Sequence, residues 1–391
     1  MDLTILVTGS SGYLGSALCV ELAKHCRVVG IDKRPPSASL YCSAPEVQWH
    51  VLDIADKSRL HGVFKQNIAL KQPIDIVLHF AAFYHYGRDW RYDYDSTNLE
   101  GTRNVMAAAC CWGVRRVIFA SSIGALKPPP EGTHLKETSL EMVDLPYNKS
   151  KAMGEAIVTA SNRLTAAVVL RIGGVFSDWC ELPPLYSLIK LWSRKGSLGR
   201  CMPGRGKSGF PYIHRKELVR IVLKIIGADE RLDAFETFFC APDGHTSHQN
   251  LFPVIRHCSG RVGPTRPIHV PPHLLTLPMN ILYFWNRLHH RETYERSWML
   301  AYVDRPLSID ASYTRARLQW SPEPELSILN RLPVLMRNFR QAPDLWESRN
   351  LRRNQALYEF HPDDHTAAKS TSVLSPKLIL TDANRPLVGG E

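Results

Sequence analysis

The sequence predicts an α/β fold: a doubly wound parallel sheet of the Rossmann type, followed by a smaller C-terminal lobe. Three observations predict it. Short apolar runs alternate with amphipathic segments over the first 175 residues, the rhythm of strand and crossover helix. The first run, Thr4 to Thr8, stops at the turn Gly9-Ser10-Ser11-Gly12-Tyr13-Leu14-Gly15, and a helical pattern begins at once. The run Asp75 to Phe80 is nearly all apolar, as a strand buried on both faces should be.

The elements follow in order. A first helix over about 13–24 sets Leu14, Leu18 and Leu22 on one face. Arg27–Asp32 and Val47–Asp53 read as the second and third strands, with a helix over 56–66. After the fourth strand comes a long alanine-rich helix from about 95 to 111. Arg116–Ala120 is the fifth strand, ending at Ser121-Ser122; a helix runs from about Pro146 to Asn162, and Ala166–Ile172 is the sixth strand. Beyond Gly174 the prolines at 183, 184, 203 and 211 interrupt the pattern. Helices are expected over about 185–195 and 216–226, with Gly199–Gly209 as a loop able to fold over a ligand. The expected organisation is a dinucleotide-binding domain over 1–175 and a substrate-binding lobe over 176–345, with the helix near 215–227 packing back on the first domain. A polar, unpatterned and disordered tail is expected over 346–391.

Composition narrows the class. Of 391 residues, 44% are hydrophobic and 22% charged, the balance of a soluble globular protein. No run approaches the ~18 apolar residues of a membrane span. The first strand starts almost at Met1, with no basic stretch before it, so a cytoplasmic location is expected. Nine cysteines without a Cys-x-x-Cys pair read as free, mostly buried thiols. The histidines, including His289-His290, have no partners at metal spacing, so no metal is expected. The net charge of +11 is diffuse. A solvated basic face, phosphate-bearing substrates and an anionic membrane surface all remain open readings, whereas nucleic acid lacks any accompanying reading motif. Pro271–Leu288 is the most apolar stretch of the lobe. Helix core, a homodimer face and a peripheral membrane contact are the readings open to it.

The chemistry is carried by two stretches. Gly9 permits a sharp turn, Gly12 lets backbone N–H groups approach a diphosphate, and Gly15 lets the helix press on its strand. The positive end of that helix faces the anion. Asp32, at the tip of the next strand, can accept hydrogen bonds from two ribose hydroxyls and repels a 2′-phosphate, which favours NAD. Lys33 and Arg34 follow it and keep NADP open. In Pro146-Tyr147-Asn148-Lys149-Ser150-Lys151, Tyr147 and Lys151 lie four apart and share a helix face. A phenol with a reference pKa near ~10 accepts a proton poorly at neutral pH. A neighbouring ammonium favours the phenolate, which equips Tyr147 to exchange a proton with a substrate hydroxyl.

Together Thr8 to Gly15, Ala81-Ala82, Ser121-Ser122 and Tyr147-x-x-x-Lys151 resemble the extended short-chain dehydrogenase/reductase superfamily, the NAD-dependent epimerase/dehydratase group, over about residues 3–225. The resemblance implies that Gly9, Gly12, Tyr13 and Leu14 line the diphosphate and that Asp32 holds the adenosine ribose. It places Asp53 and Ile54 beside adenine, and Ala81 and Ala82 under the nicotinamide side. Tyr147 is then the acid/base, and Lys151 binds the nicotinamide ribose while lowering the tyrosine pKa. Ser122 orients the reacting hydroxyl, with Ser121 structural. Asn98 matches a helix asparagine of the group, either in the catalytic set or satisfying buried backbone groups.

Two further motifs carry no chemistry. Gly204-Arg205-Gly206-Lys207-Ser208 lacks the first glycine and the preceding strand of a triphosphate loop, and Asn148-Lys149-Ser150 lies inside the proposed catalytic helix. Three functions remain: a dehydrogenase of steroid-like or lipid-like alcohols, a nucleotide-sugar epimerase or dehydratase, and a non-catalytic NAD(P) sensor. After the sixth strand, Arg171-Ile172-Gly173-Gly174 lacks the asparagine usual in sugar-nucleotide members. Phe210-Pro211-Tyr212-Ile213-His214 stands where those enzymes often show Arg-Asp-Tyr. Both departures lean toward an apolar small molecule, while Arg205, Lys207 and Arg215 offer phosphate contacts on the other side.

Overall fold

The computed structural model describes residues 3–85, 87–140, 145–260, 266–289, 294–354 and 358–361. In chain order it begins β1 (Thr4–Thr8), α1 (Tyr13–Leu22), β2 (Arg27–Asp32), α2 (Ala38–Ser43), β3 (Gln48–Val51), α3 (Lys57–Ala69) and β4 (Ile76–His79). A π-helical stretch, Tyr94–Glu100, then runs into α4 (Gly101–Cys111), followed by β5 (Arg116–Ser122), α5 (Pro146–Ser161) and β6 (Ala166–Ile172). The remainder comprises β7 (Gly174–Phe176), α6 (Pro183–Trp192), β8 (Cys201–Pro203), β9 (Gly209–Phe210), β10 (Tyr212–His214), α7 (Arg215–Gly227) and β11 (Phe235–Cys240). It ends with β12 (Thr246–Ser247), α8 (His248–Cys258), β13 (Ile268–Val270), α9 (Pro272–Leu288), α10 (Ser312–Leu318), α11 (Ile328–Gln341) and α12 (Pro343–Asn354).

Seven strands form one parallel sheet in the order β11-β6-β5-β4-β1-β2-β3. Every residue of β1 and β4 is buried, because helices cover both faces. Leu18, Ile221, Val222 and Ile225 pack on one face, and Leu60, Phe64, Val105 and Val158 on the other. Thr8 pairs with both Ile31 and His79, so Gly9, Asp32 and Phe80 leave the sheet along the same edge. The strand order reverses between β1 and β4, which opens a crevice at their carboxyl ends.

Two sequence expectations are corrected. The sheet has a seventh strand, β11, in residues assigned to the substrate lobe. Its signal was weak because Glu236 interrupts the apolar run; the carboxylate is buried against Arg317 Nε (2.8 Å) and Tyr313 Oη (2.5 Å) of α10. The disordered tail expected from 346 instead starts as helix α12. Trp346 is fully buried in the lobe core beside Leu332, Leu335 and Met336, and Arg349 forms a buried ion pair with Glu181 (2.8 Å). Hydropathy treats Arg349 as surface, which is why the helix was illegible. Farther on, Phe360 is buried, and its carbonyl accepts a hydrogen bond from Ser39 (2.7 Å). The rest of the expected tail, 362–391, lies outside the described residues.

Candidate active site

The turn after β1 is shaped by what its glycines lack. Gly9 has φ +73°, and a Cβ there would stand 2.8 Å from the Ala81 nitrogen. A Cβ on Gly15 would stand 2.1 Å from the Gly9 carbonyl oxygen. Only hydrogen fits either position, so the N-terminus of α1 meets the crevice as bare backbone.

That crevice, of about 670 Å³, is lined by Gly9, Gly12, Tyr13, Leu14, Gly15, Asp32, Asp53, Ile54, Ala81 and Ala82, together with Ser122, Tyr147 and Lys151. The two decisive stretches of the sequence, separated by the residues between Gly15 and Pro146, thus face one space. Asp32 is fixed within it: one carboxylate oxygen accepts from the Ser11 N–H (3.1 Å) and the other from the Arg34 N–H (2.9 Å). Asp53, more exposed, accepts from the Ala55 N–H (2.9 Å).

Behind Ala81 runs a buried hydrogen-bond chain. The Ala81 N–H donates to Thr8 Oγ1 (3.1 Å), which lies 2.8 Å from His79 Nδ1. On the ring's other side, His79 Nε2 lies 3.0 Å from Thr102 Oγ1, which donates to the Asn98 carbonyl (2.6 Å). With the Thr102 proton committed to Asn98, the imidazole donates through Nε2 and accepts through Nδ1. Burial, reinforced by Lys151, pushes the His79 pKa down to about 3, so the ring is a neutral strut.

Asn98 does not line the crevice. Its Oδ1 accepts from the Phe83 N–H (2.7 Å), and its Nδ2 donates to the Phe83 carbonyl (3.0 Å) and to Ser150 Oγ (2.8 Å). These bonds tie the segment after β4 to α5.

The adjacent serines divide cleanly. Ser121 is buried and donates to Glu155, which also holds Arg171 (2.8 Å). Ser122 lines the crevice, and its oxygen accepts from the Gly124 N–H (3.1 Å), leaving its proton to donate outward. Lys151 is almost fully buried; its Nζ donates to the Ala120 carbonyl (2.7 Å) and stands 5.1 Å from the Phe119 ring centre. Burial lowers its pKa to about 8, against the opposing pull of Glu155. Tyr147, one turn earlier on α5, packs edge-on to the Tyr84 ring at 4.7 Å.

Sequence reasoning missed several lining residues: Phe83 and Tyr84 after β4, then Leu182, Pro184, Tyr294, Leu307, Arg353 and Tyr358. Arg353 stacks over Tyr13 (5.0 Å) and Tyr84 (5.6 Å), and Tyr358 meets Tyr13 edge-on (5.1 Å). No local pattern marks them, since tertiary folding alone returns the C-terminal segment to the opening turn. The loop expected to cover a ligand is pinned elsewhere. Asp304 accepts from the Arg205 N–H (2.7 Å) and the Lys207 N–H (2.9 Å), and residues 204–208 do not line the crevice.

Residues 5–241 match the model of the NAD dependent epimerase/dehydratase family. The chain belongs to that family. It is 28% identical over 180 residues to the UDP-glucose 4-epimerase of Bacillus subtilis, covering 43% of this chain and 51% of that one. To the UDP-glucose 4-epimerase of Yersinia pestis it is 24% identical over 282 residues, 68% of this chain and 75% of that one. The chain spans about half the length of the curated relatives it matches first. Its fold is that of the Thermotoga maritima UDP-glucose 4-epimerase (TM-score 0.65, 19% identity, 88% of this chain and 100% of that one). It is likewise that of a dTDP-glucose 4,6-dehydratase from Streptomyces venezuelae (TM-score 0.65, 18% identity, 88% and 99%). NAD, the cofactor of the epimerase/dehydratase family, suits the residues present. The glycine turn leaves no Cβ between backbone and diphosphate, and Asp32 stands at the end of β2 where ribose hydroxyls need an acceptor.

Proposed function

We propose that the protein is an NAD-dependent oxidoreductase that interconverts a secondary alcohol and its ketone on an apolar, steroid-like or lipid-like molecule. The carrying observation is the wall that the C-terminal residues give the crevice: Leu182, Pro184, Phe210, Pro211, Tyr294, Leu307, Arg353 and Tyr358, with a single charge among them. The three cations that the sequence offered to a substrate phosphate stand outside it. Lys207 pairs with Glu131 (2.5 Å), Arg215 bonds to Tyr358 (2.5 Å), and Arg205 is not among the lining residues.

Bound NAD supplies the hydride acceptor or donor at its nicotinamide ring. Tyr147 takes the substrate hydroxyl proton on Oη during oxidation and returns it during reduction. Lys151, charged below about pH 8, holds the phenolate form within reach of neutral pH. Ser122 donates its hydroxyl proton to the substrate oxygen and stabilises negative charge developing there. Phe83, Tyr84 and Phe210 exclude water from the reacting centre.

A second reading, a nucleotide-sugar substrate, is supported by the relatives' activities and by Arg353, a guanidinium able to meet a diphosphate. Incubating the protein with NAD and, in parallel, a panel of sterols and a panel of UDP- and dTDP-sugars distinguishes the two. Net cofactor reduction with a sterol alone supports the first reading. Sugar interconversion without net reduction establishes the second, and NAD binding with neither reaction leaves the sensor.

A further inference from the structure

We propose that α9 is a membrane-docking helix, seating the protein in the plane of an anionic lipid surface with the crevice mouth beside the bilayer. The helix carries Leu274, Leu277, Ile281, Phe284, Trp285 and Leu288 at intervals of one helical turn, which puts them on one face. All six are exposed, from Leu277 at 69% to Leu274, Trp285 and Leu288 at 59%. From Leu274 to Leu288 that stripe runs about 21 Å, a far larger contiguous apolar surface than scattered exposed leucines make. Among the described residues no helix is long and apolar enough to cross a membrane, so the contact is in-plane.

Charge identifies the occupant. The strand leading into α9, β13, pairs with β8, and Arg200 Nε donates to the Arg266 carbonyl (2.9 Å) just ahead of it. This joins the helix start to a basic stretch. Residues 182–216 contain eight lysines and arginines and no aspartate or glutamate, and residues 266–288 contain no acidic residue either. Arg194, Lys195 and Arg266 are exposed there. At the other end, Arg296 lies over the Tyr283 ring at 4.6 Å. Cations flanking an apolar stripe that carries Trp285 match headgroup phosphates above acyl chains. A second copy fits worse. A two-fold contact through α9 would bring the exposed Arg194, Lys195 and Arg266 of two copies toward one another, like charge against like. Tyr294, six residues past the end of the helix, lines the crevice, so docking through α9 brings the crevice mouth toward the lipid surface. The inference stands on the helix face, not on the substrate reading, and its test reads lipid binding rather than turnover.

The full chain is mixed with vesicles of phosphatidylcholine alone or with one-third phosphatidylserine, and floated on a density gradient. The expected result is flotation with the anionic vesicles, at least tenfold stronger than with neutral ones, and loss of selectivity at high salt. Ile281→Glu/Trp285→Glu should abolish flotation, and Arg194→Glu/Lys195→Glu should remove the preference for anionic lipid, both with NAD affinity unchanged. No flotation with either vesicle overturns the proposal. So does unchanged flotation of the Ile281→Glu/Trp285→Glu variant, or a wild-type dimer that this variant converts to monomer without any lipid effect.

Discussion

The Lys151 ammonium donates to the Ala120 carbonyl across 2.7 Å, which fixes the lysine at the end of β5 beside Ser122. Burial drops its pKa from 10.5 to about 8, so the folded state binds this proton more weakly than the unfolded chain does. The cost of burying the charge is therefore complete below about pH 8 and fades as pH rises toward the unfolded value. It amounts to about 3 kcal/mol. Urea unfolding of wild type against Lys151→Met should show a stability difference that moves in favour of wild type between pH 7 and pH 10. A difference independent of pH contradicts the buried ammonium.

Neighbouring serines should separate stability from turnover. Ser121→Ala removes a donor from the buried Glu155 carboxylate and should cost about 1–3 kcal/mol while leaving kcat nearly intact. Ser122→Ala loses only its bond from the Gly124 N–H, so it should cost less stability than Ser121→Ala, about 0.5–1.5 kcal/mol, and lower kcat about tenfold to a thousandfold. Denaturation curves and initial rates on both variants check this. Exchanged effects would reassign the pair.

Asp32 accepts two backbone N–H groups and points its carboxylate into the cofactor crevice. Asp32→Ala should narrow the affinity gap between NAD and NADP about tenfold or more, because the repulsion of a 2′-phosphate disappears. Titration of each dinucleotide against intrinsic fluorescence reads the gap directly.

Trp346 anchors α12 from within the lobe core. Trp346→Ala should cost about 3–5 kcal/mol, seen as a lowered denaturant midpoint. A near-neutral effect would mean that the C-terminal helix contributes little to the fold.

Much of the nucleotide half was legible because its constraints are local. Gly9 and Gly15 stand where a Cβ would strike backbone, and Tyr147 and Lys151 share a face by helical spacing alone. What escaped was non-local. β11 hides its membership of the sheet behind Glu236, whose partners lie on α10. Arg353 and Tyr358 reach Tyr13 only because α12 docks through Trp346 and Arg349. Asn98 shows the converse limit. Its position matched a pattern, but its amide is saturated by Phe83 and Ser150, which only coordinates reveal.

The most direct test of the account is the rate of reduced-nicotinamide formation from NAD and a sterol-class secondary alcohol, measured on wild type and Tyr147→Phe. The account predicts steady reduction by wild type, and a variant that binds NAD equally well but turns over about 10²–10⁴-fold more slowly. Equal rates for the two proteins would remove Tyr147 from the proton transfer and contradict the account.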